Sequence, residues 1–265
     1  MIYMPDGAPI SKVEATKSYG AEVCLFGDTY DDAYEEATKR QQLEGRTFIH
    51  PFDDEDVIAG QGTVGLEILE QLKDVDAVVV PIGGGGLISG IAYAIKHLKP
   101  ECRIIGVQAA GAASMYESVK CGEKTCLASV DTFADGIAVK MPGTNTFQQI
   151  SEYVDEIVTV TDDEIAAAIL MLMEKQKLVA EGAGAVSVAA SMFGKISLSG
   201  KKVVCIVSGG NIDVNILNRV ITRGMVMSGR RSTVIIALID KPGQLLGVAE
   251  AISKKGGNVI AVHHD

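Results

Sequence analysis

Cys24, Cys102, Cys121, Cys126 and Cys205 are odd in number, and no two of them form a CxxC pair. That excludes a disulfide framework and a cysteine-based zinc site, and points to a reduced, cytoplasmic chain. Positive charge is also scarce: 24 Lys and Arg stand against 34 Asp and Glu, for a net charge of -10. Nucleic acid is therefore not an expected partner, because phosphate neutralisation needs basic clusters. The opening residues lack the basic start and long apolar stretch of a secretory signal. Residues 77–95 carry no charge and are long enough to suggest a membrane span. Four adjacent glycines and Pro81 interrupt them, so they read instead as a buried strand, turn and helix. The terminal His263 and His264 read as a polar pair, and no metal site is expected.

What is present suits a globular α/β protein. The chain has 265 residues, 47% of them hydrophobic, enough for one large or two modest domains with a sizeable core. Strand-like runs recur at 22–26, 47–50, 77–81, 103–108, 156–160 and 202–207. Helical patterns fall at 31–44, 61–73, 87–98 and 162–178, the last with Thr161 placed to cap it ahead of three acids. This alternation predicts a mostly parallel sheet with helices on both faces. From about residue 230 the texture changes to strand, Lys-Pro-Gly turn, helix, Gly-Gly-Asn turn and strand.

The stretch VVVPIGGGGLISG at 78–90 joins a buried strand to an apolar helix through Gly83, Gly84, Gly85 and Gly86. A glycine turn at a helix start aims backbone N–H groups and the positive helix end at one point, which suits a phosphate. Glycine admits left-handed backbone and removes Cβ atoms from the approach. The Gly-Lys-Ser/Thr of a P-loop is missing, since Leu87 and Ile88 stand there. The next strand ends in Gln108 without the acid that a dinucleotide fold places on the ribose. A mononucleotide or a cofactor with one phosphate fits better. Ser208-Gly209-Gly210-Asn211 also follows a buried strand, so both glycine corners are expected on the carboxyl edge of one sheet. In AEGAGAV at 180–186, Glu181 is a lone carboxylate among small residues. Those residues serve equally well for close ligand approach or for tight helix packing.

Together, MPDGAPISKVEATKSYGAEV, FIHPFDDEDVIAGQGTVGLEIL, PIGGGGLISG, FADGIAV, EGAGAV and SGGNID resemble the fold-type II pyridoxal-phosphate (PLP) enzymes. The resemblance is strongest to the threonine ammonia-lyases (threonine dehydratases) and runs to about residue 228. The ending VIIALIDKPGQLLGVAEAISKKGGNVIAVHHD is similar to the start of an ACT domain, a small amino-acid-sensing module. The resemblance implies a tryptophan synthase β-like fold. It divides the chain into 1–45 from a small domain, 46–229 as the large PLP-binding domain, and 230–265 as a partial ferredoxin-like β-α-β regulatory unit. It further implies that Gly83–Gly86 and Leu87 bind the PLP phosphate. Ser208, next to Gly209, would hydrogen-bond the pyridine nitrogen. Glu181 would lie near the cofactor ring, and Asp135 and Gly136 near the substrate.

The family's Schiff-base lysine stands in a Ser-Phe-Lys-x-Arg-Gly-Ala type motif, and its substrate-carboxylate loop in Ser-x-Gly-Asn-His. Neither motif occurs in these 265 residues. No catalytic residue is therefore assigned, and Lys140 reads as a solvated loop lysine. The expectation is a parent enzyme that converts L-threonine, or serine, to a 2-oxo acid and ammonia in isoleucine biosynthesis or other amino-acid metabolism. The chain alone is expected to be inactive and to self-associate as a homo-oligomer. Gly243 and Asn258 would flank an allosteric isoleucine or valine. The segment QAAGAASM lacks the acids of the divalent-metal site found in some relatives. The rival readings are a serine dehydratase, serine racemase or cysteine-synthase relative, a non-catalytic amino-acid-binding regulatory chain, and a nicotinamide-dependent enzyme.

Overall fold

The computed structural model describes residues 1–8, 10–28 and 30–263, so His264 lies outside the described residues. The chain divides into one unit from Met1 to Arg230 and a second that begins at Arg231. The first unit opens with strand β1 (Ile2–Met4), helix α1 (Ile10–Ser18), strand β2 (Val23–Leu25) and helix α2 (Tyr30–Glu44). The two strands pair in parallel as a separate small sheet. There follow α3 (Glu55–Gln71), β3 (Ala77–Pro81), α4 (Gly86–Leu98), β4 (Arg103–Ala109), α5 (Ser114–Cys121) and α6 (Thr144–Tyr153). The unit closes with β5 (Glu156–Val160), α7 (Asp162–Met171), α8 (Gly182–Met192), β6 (Val203–Cys205) and α9 (Val214–Met227).

Strands β5-β4-β3-β6 form one four-stranded sheet, parallel throughout. Successive strand side chains point to opposite faces, and both faces are covered. Val78 and Val80 pack with Ile88, Ile91 and Ile95 on one side. Ala77 and Val79 pack with Ile165, Ile169 and Val186 on the other. Burial on both faces is why residues 77–81 read as a continuous apolar run rather than an alternating one. The chain steps outward from β3 through β4 to β5, then returns to place β6 on the far side of β3. That reversal makes a crevice at the carboxyl ends of β3 and β6, where ligands of such sheets bind.

Several elements differ from the sequence expectation. Residues 47–50 form no strand. Phe48 and His50 instead join Tyr34 and Phe52 in an edge-to-face aromatic cluster. His50 Nδ1 accepts hydrogen bonds from the N–H groups of Phe52 (3.2 Å) and Asp53 (2.8 Å), so the side chain turns the backbone away from an extended path. Helix α3 begins six residues before its apolar periodicity, because the Asp54 carboxylate caps the N–H groups of Asp56 and Val57. Helix α7 has the expected capping box between Thr161 and Glu164. It gives way after Met171 to a π-helical turn at Leu172–Gln176, ended by Lys177 in the left-handed region.

The second unit contains helix α10 (Gln244–Lys254). The flanking segments expected as strands form no ladder among the described residues, and the side chain of Ile235 is 95% exposed. Of the expected β-α-β unit, the described residues form the helix alone. Isolated strands have no partner for their N–H and C=O groups and gain little by extending. No helix among the described residues is long and apolar enough to cross a membrane.

Candidate active site

Strand β3 delivers its chain directly into the glycine corner. Gly85 is the N-cap of α4, with φ 101°, no side-chain cap and no acid in the first helical turn. The first N–H groups of α4 thus form a positive helix end with no carboxylate in their own turn to neutralise it. Besides phosphate access, packing gives a second reason for glycine at each of these positions. A Cβ on Gly83 would lie 3.1 Å from Ile137 Cα, and one on Gly84 would enter the Phe52 ring. One on Gly85 would stand 2.9 Å from Thr146 Cβ, and one on Gly86 2.9 Å from the Phe52 carbonyl oxygen. Three protein segments therefore close on the Cβ side of the corner, and glycine lets them.

The second corner lies alongside. β6 pairs with β3, and Ile206 N–H donates to the Val79 carbonyl at 2.9 Å just past the ladder. Exposed Ser208 and half-buried Gly209 follow. Glu181 N–H donates to the Gly209 carbonyl at 3.1 Å. The Glu181 carboxylate fills the space where a Gly209 Cβ would stand, and lies 3.6 Å from the corresponding point on Gly136. Gly83 meets Gly136 and Ile137 from its own side. The expected residues Gly83, Gly136, Glu181 and Gly209 thus stand close together, with no room between them for a further side chain. Lys140 is exposed in a bend. In the second unit, Gly243 is the left-handed N-cap of α10 (φ 88°), and Asn258 is exposed in an irregular stretch.

Sequence reasoning missed Lys12. Its ammonium pairs with Asp135 Oδ2 at 2.9 Å, while Asp135 Oδ1 accepts from Gly136 N–H at 3.0 Å. Lys12, Asp135, Glu181 and Asn211 line a cleft of about 180 Å³, to which the glycine corner and Ser208 do not contribute. The signal was a lysine inside a quoted motif, but its partner lies 123 residues away. Burial pushes the Glu181 carboxyl above the ordinary carboxylate range and the Asp135 charge adds to this, while Lys12 and the Asn211 N–H work against it.

A carboxyl raised in this way stabilises the fold below its ordinary pKa, and that contribution is lost as pH rises through the folded-state value. Lys12→Ala removes an opposing charge, so the Glu181 carboxyl should rise further. Thermal midpoints measured between about pH 4 and 8 should fall more steeply with rising pH in Lys12→Ala than in wild type. Adding Glu181→Gln should remove that extra slope. Parallel profiles for wild type and Lys12→Ala would contradict the coupling.

The pattern of the family described as "Pyridoxal-phosphate dependent enzyme" matches residues 1–209. The chain belongs to this family. The L-threonine ammonia-lyase of Thermotoga maritima is 50% identical over 264 residues, covering 100% of this chain and 66% of that protein. Among solved structures, the processed form of threonine deaminase isoform 2 from Solanum lycopersicum aligns with a TM-score of 0.80 at 41% identity. That alignment covers 85% of this chain and 62% of that one. Maize serine racemase aligns with a TM-score of 0.77 at 35% identity, covering 86% of this chain and 70% of that one. The chain therefore spans just under two thirds of the Thermotoga relative's length. The family's cofactor carries one phosphate, and an uncapped, acid-free helix start at Gly85–Leu87 fits that group. The mostly parallel sheet with helices on both faces is the fold of these fold-type II relatives.

Proposed function

We propose that this chain carries the cofactor-binding part of an L-threonine ammonia-lyase, which converts L-threonine to 2-oxobutanoate and ammonia. The observation behind this reading is the pair of glycine corners on adjacent strands β3 and β6, with Glu181 and Gly136 close together beside them. The 50% identity to a threonine ammonia-lyase favours threonine over the serine-specific rivals. When bound, PLP supplies an electron sink for the charge left when the α-proton departs.

The chain's own residues have separable tasks. The N–H groups of Gly83–Leu87 would hold the phosphate. Ser208, leaving β6 beside that corner, would take the ring nitrogen. A neutral hydroxyl there would not stabilise a protonated ring as a carboxylate does, which would favour elimination of the β-hydroxyl over transamination. Glu181 would face the ring, and Asp135 and Gly136 would border the substrate. Lys12 pairs with Asp135 beside Gly136, which would fix the Asp135 carboxylate at the substrate border. Threonine loses its α-proton and β-hydroxyl, and water then cleaves the C–N bond, so that 2-oxobutanoate and ammonia balance the equation.

The test is product formation from threonine and from serine by the purified protein supplied with PLP. A parent enzyme of full family length should give 2-oxobutanoate in excess of pyruvate, and this chain alone neither product. Pyruvate as the main product would shift the reading to a serine-specific lyase. Detectable turnover by the chain alone, lost on removing PLP, would overturn the proposed inactivity.

The proposal extends to the second unit as an ACT-like site for isoleucine or valine, with Gly243 at the start of α10 and Asn258 nearby in sequence. It also extends to self-association and to a role in amino-acid metabolism in the cytoplasm. Calorimetry with a parent protein of full family length should detect isoleucine binding that Gly243→Val abolishes, since a β-branched residue is strained at φ 88°. Unchanged binding would reject the placement.

A further inference from the structure

The glycine corner is held from outside its own helix by a chain of hydrogen bonds that no sequence motif revealed. Thr146, fully buried in the first turn of α6, donates its hydroxyl to the Gly84 carbonyl at 2.7 Å. Thr146 is itself fixed by Asp53, whose carboxylate accepts from Thr144 N–H at 2.8 Å and from Thr146 N–H at 3.0 Å. The N-cap of α6 is Gly143, which offers no side chain, so Asp53 caps this helix from 91 residues away. Asp53 is anchored in turn through its own N–H to His50 Nδ1. The neighbouring Phe52 lies against Gly84 and Gly86.

The consequence follows from peptide geometry. The Gly84 carbonyl and the Gly85 N–H belong to one planar trans peptide and point in opposite directions. Between two glycines that peptide can rotate at small steric cost, because both sides of the Ramachandran map are open to them. A buried hydroxyl bonded to the carbonyl removes that freedom, and an unsatisfied buried hydroxyl opposes the rotated state.

We propose that Thr146, braced by Asp53, is a positioning residue that turns the Gly85 N–H toward the cofactor phosphate. The proposal rests on the reading of the corner as the PLP phosphate site. Thr146→Val keeps the shape and removes the donor; Thr146→Ser keeps the donor. The full chain, labelled with 15N-glycine, gives the position and hydrogen exchange of the Gly85 amide without cofactor. Titration with PLP gives the dissociation constant and the 31P resonance of the bound phosphate.

Thr146→Val should shift the Gly85 amide, speed its exchange, move the 31P resonance and weaken PLP about tenfold, the effect of one hydrogen bond. Thr146→Ser should restore all four close to wild type, with thermal midpoints showing that each variant folds. A valine variant with wild-type Gly85 exchange, 31P resonance and affinity overturns the brace alone. A serine variant as impaired as the valine variant does the same, since packing rather than the hydroxyl would then be responsible. Wild-type protein that binds no PLP overturns the reading of the corner itself, and the positioning role with it.

Discussion

Gly85→Ala is expected to weaken PLP binding by a hundredfold or more. Two costs coincide at this residue. Its φ of 101° lies where an L side chain is strained, at about 1–3 kcal/mol. Its Cβ would stand 2.9 Å from both Thr146 Cβ and Ile150 Cδ1. Thr146 and Ile150 are both buried, so neither has open space to retreat into. Relief of the overlap means moving the corner or displacing α6, and either re-aims the N–H groups of the first helical turn. Together the costs reach about 3 kcal/mol, close to a hundredfold in affinity. Gly122→Ala is the control. Gly122 is also left-handed, at φ 80°, but a Cβ there meets nothing within 4 Å. It should lower the thermal midpoint slightly and leave PLP binding intact. Equal losses of PLP binding in the two variants would mean that general destabilisation, not the geometry of the corner, is being measured.

Gly90→Leu is expected to be strongly damaging to the fold. A Cβ on Gly90 would lie 2.2 Å from the Ile58 carbonyl oxygen and 2.5 Å from Gly62 N. Helices α3 and α4 therefore touch backbone to backbone, and a Gly62 Cβ would in turn meet the Gly90 carbonyl at 3.2 Å. A leucine at Gly90 must push α3 off α4, which also carries the glycine corner at its start. Overpacking of this kind costs about 3 kcal/mol or more, a fall of roughly ten degrees in thermal midpoint for a unit of this size. Gly60→Ala lies on the same helix α3, at an exposed position where a Cβ meets nothing. It should be neutral or stabilising, by up to about 1 kcal/mol, because alanine favours helix over glycine. A Gly90→Leu protein that melts with wild type would contradict the α3–α4 contact.

These residues also mark what could be read in advance. Strands β3 and β5 have the bounds expected of them, since buried parallel strands are continuous apolar runs. The juxtaposition of the Gly83–Gly86 and Ser208–Gly209 corners followed from the rule that parallel strands present their carboxyl ends on one edge. The small residues of AEGAGAV left two readings open, and tight packing is present: Gly184 packs so closely that its Cβ would strike the Gly209 carbonyl. Residues 47–50 misled because alternating aromatics serve a side-chain cluster as well as they serve a sheet. The start of α3 was hidden because Asp54, Glu55 and Asp56 carry capping information rather than apolar periodicity. Lys12–Asp135 and Asp53–Thr146 were invisible for a simpler reason. Each pair is distant in the chain, and nothing local in either partner specifies the other.

The central claim is that the corner at Gly83–Leu87 holds the phosphate of PLP. Titration of the purified chain with PLP, followed by 31P resonance and absorbance, tests it most directly. The account predicts saturable binding at one site per chain, lost in Gly85→Ala and retained in Gly122→Ala. Absence of saturable binding, or binding that Gly85→Ala leaves unchanged, would contradict it.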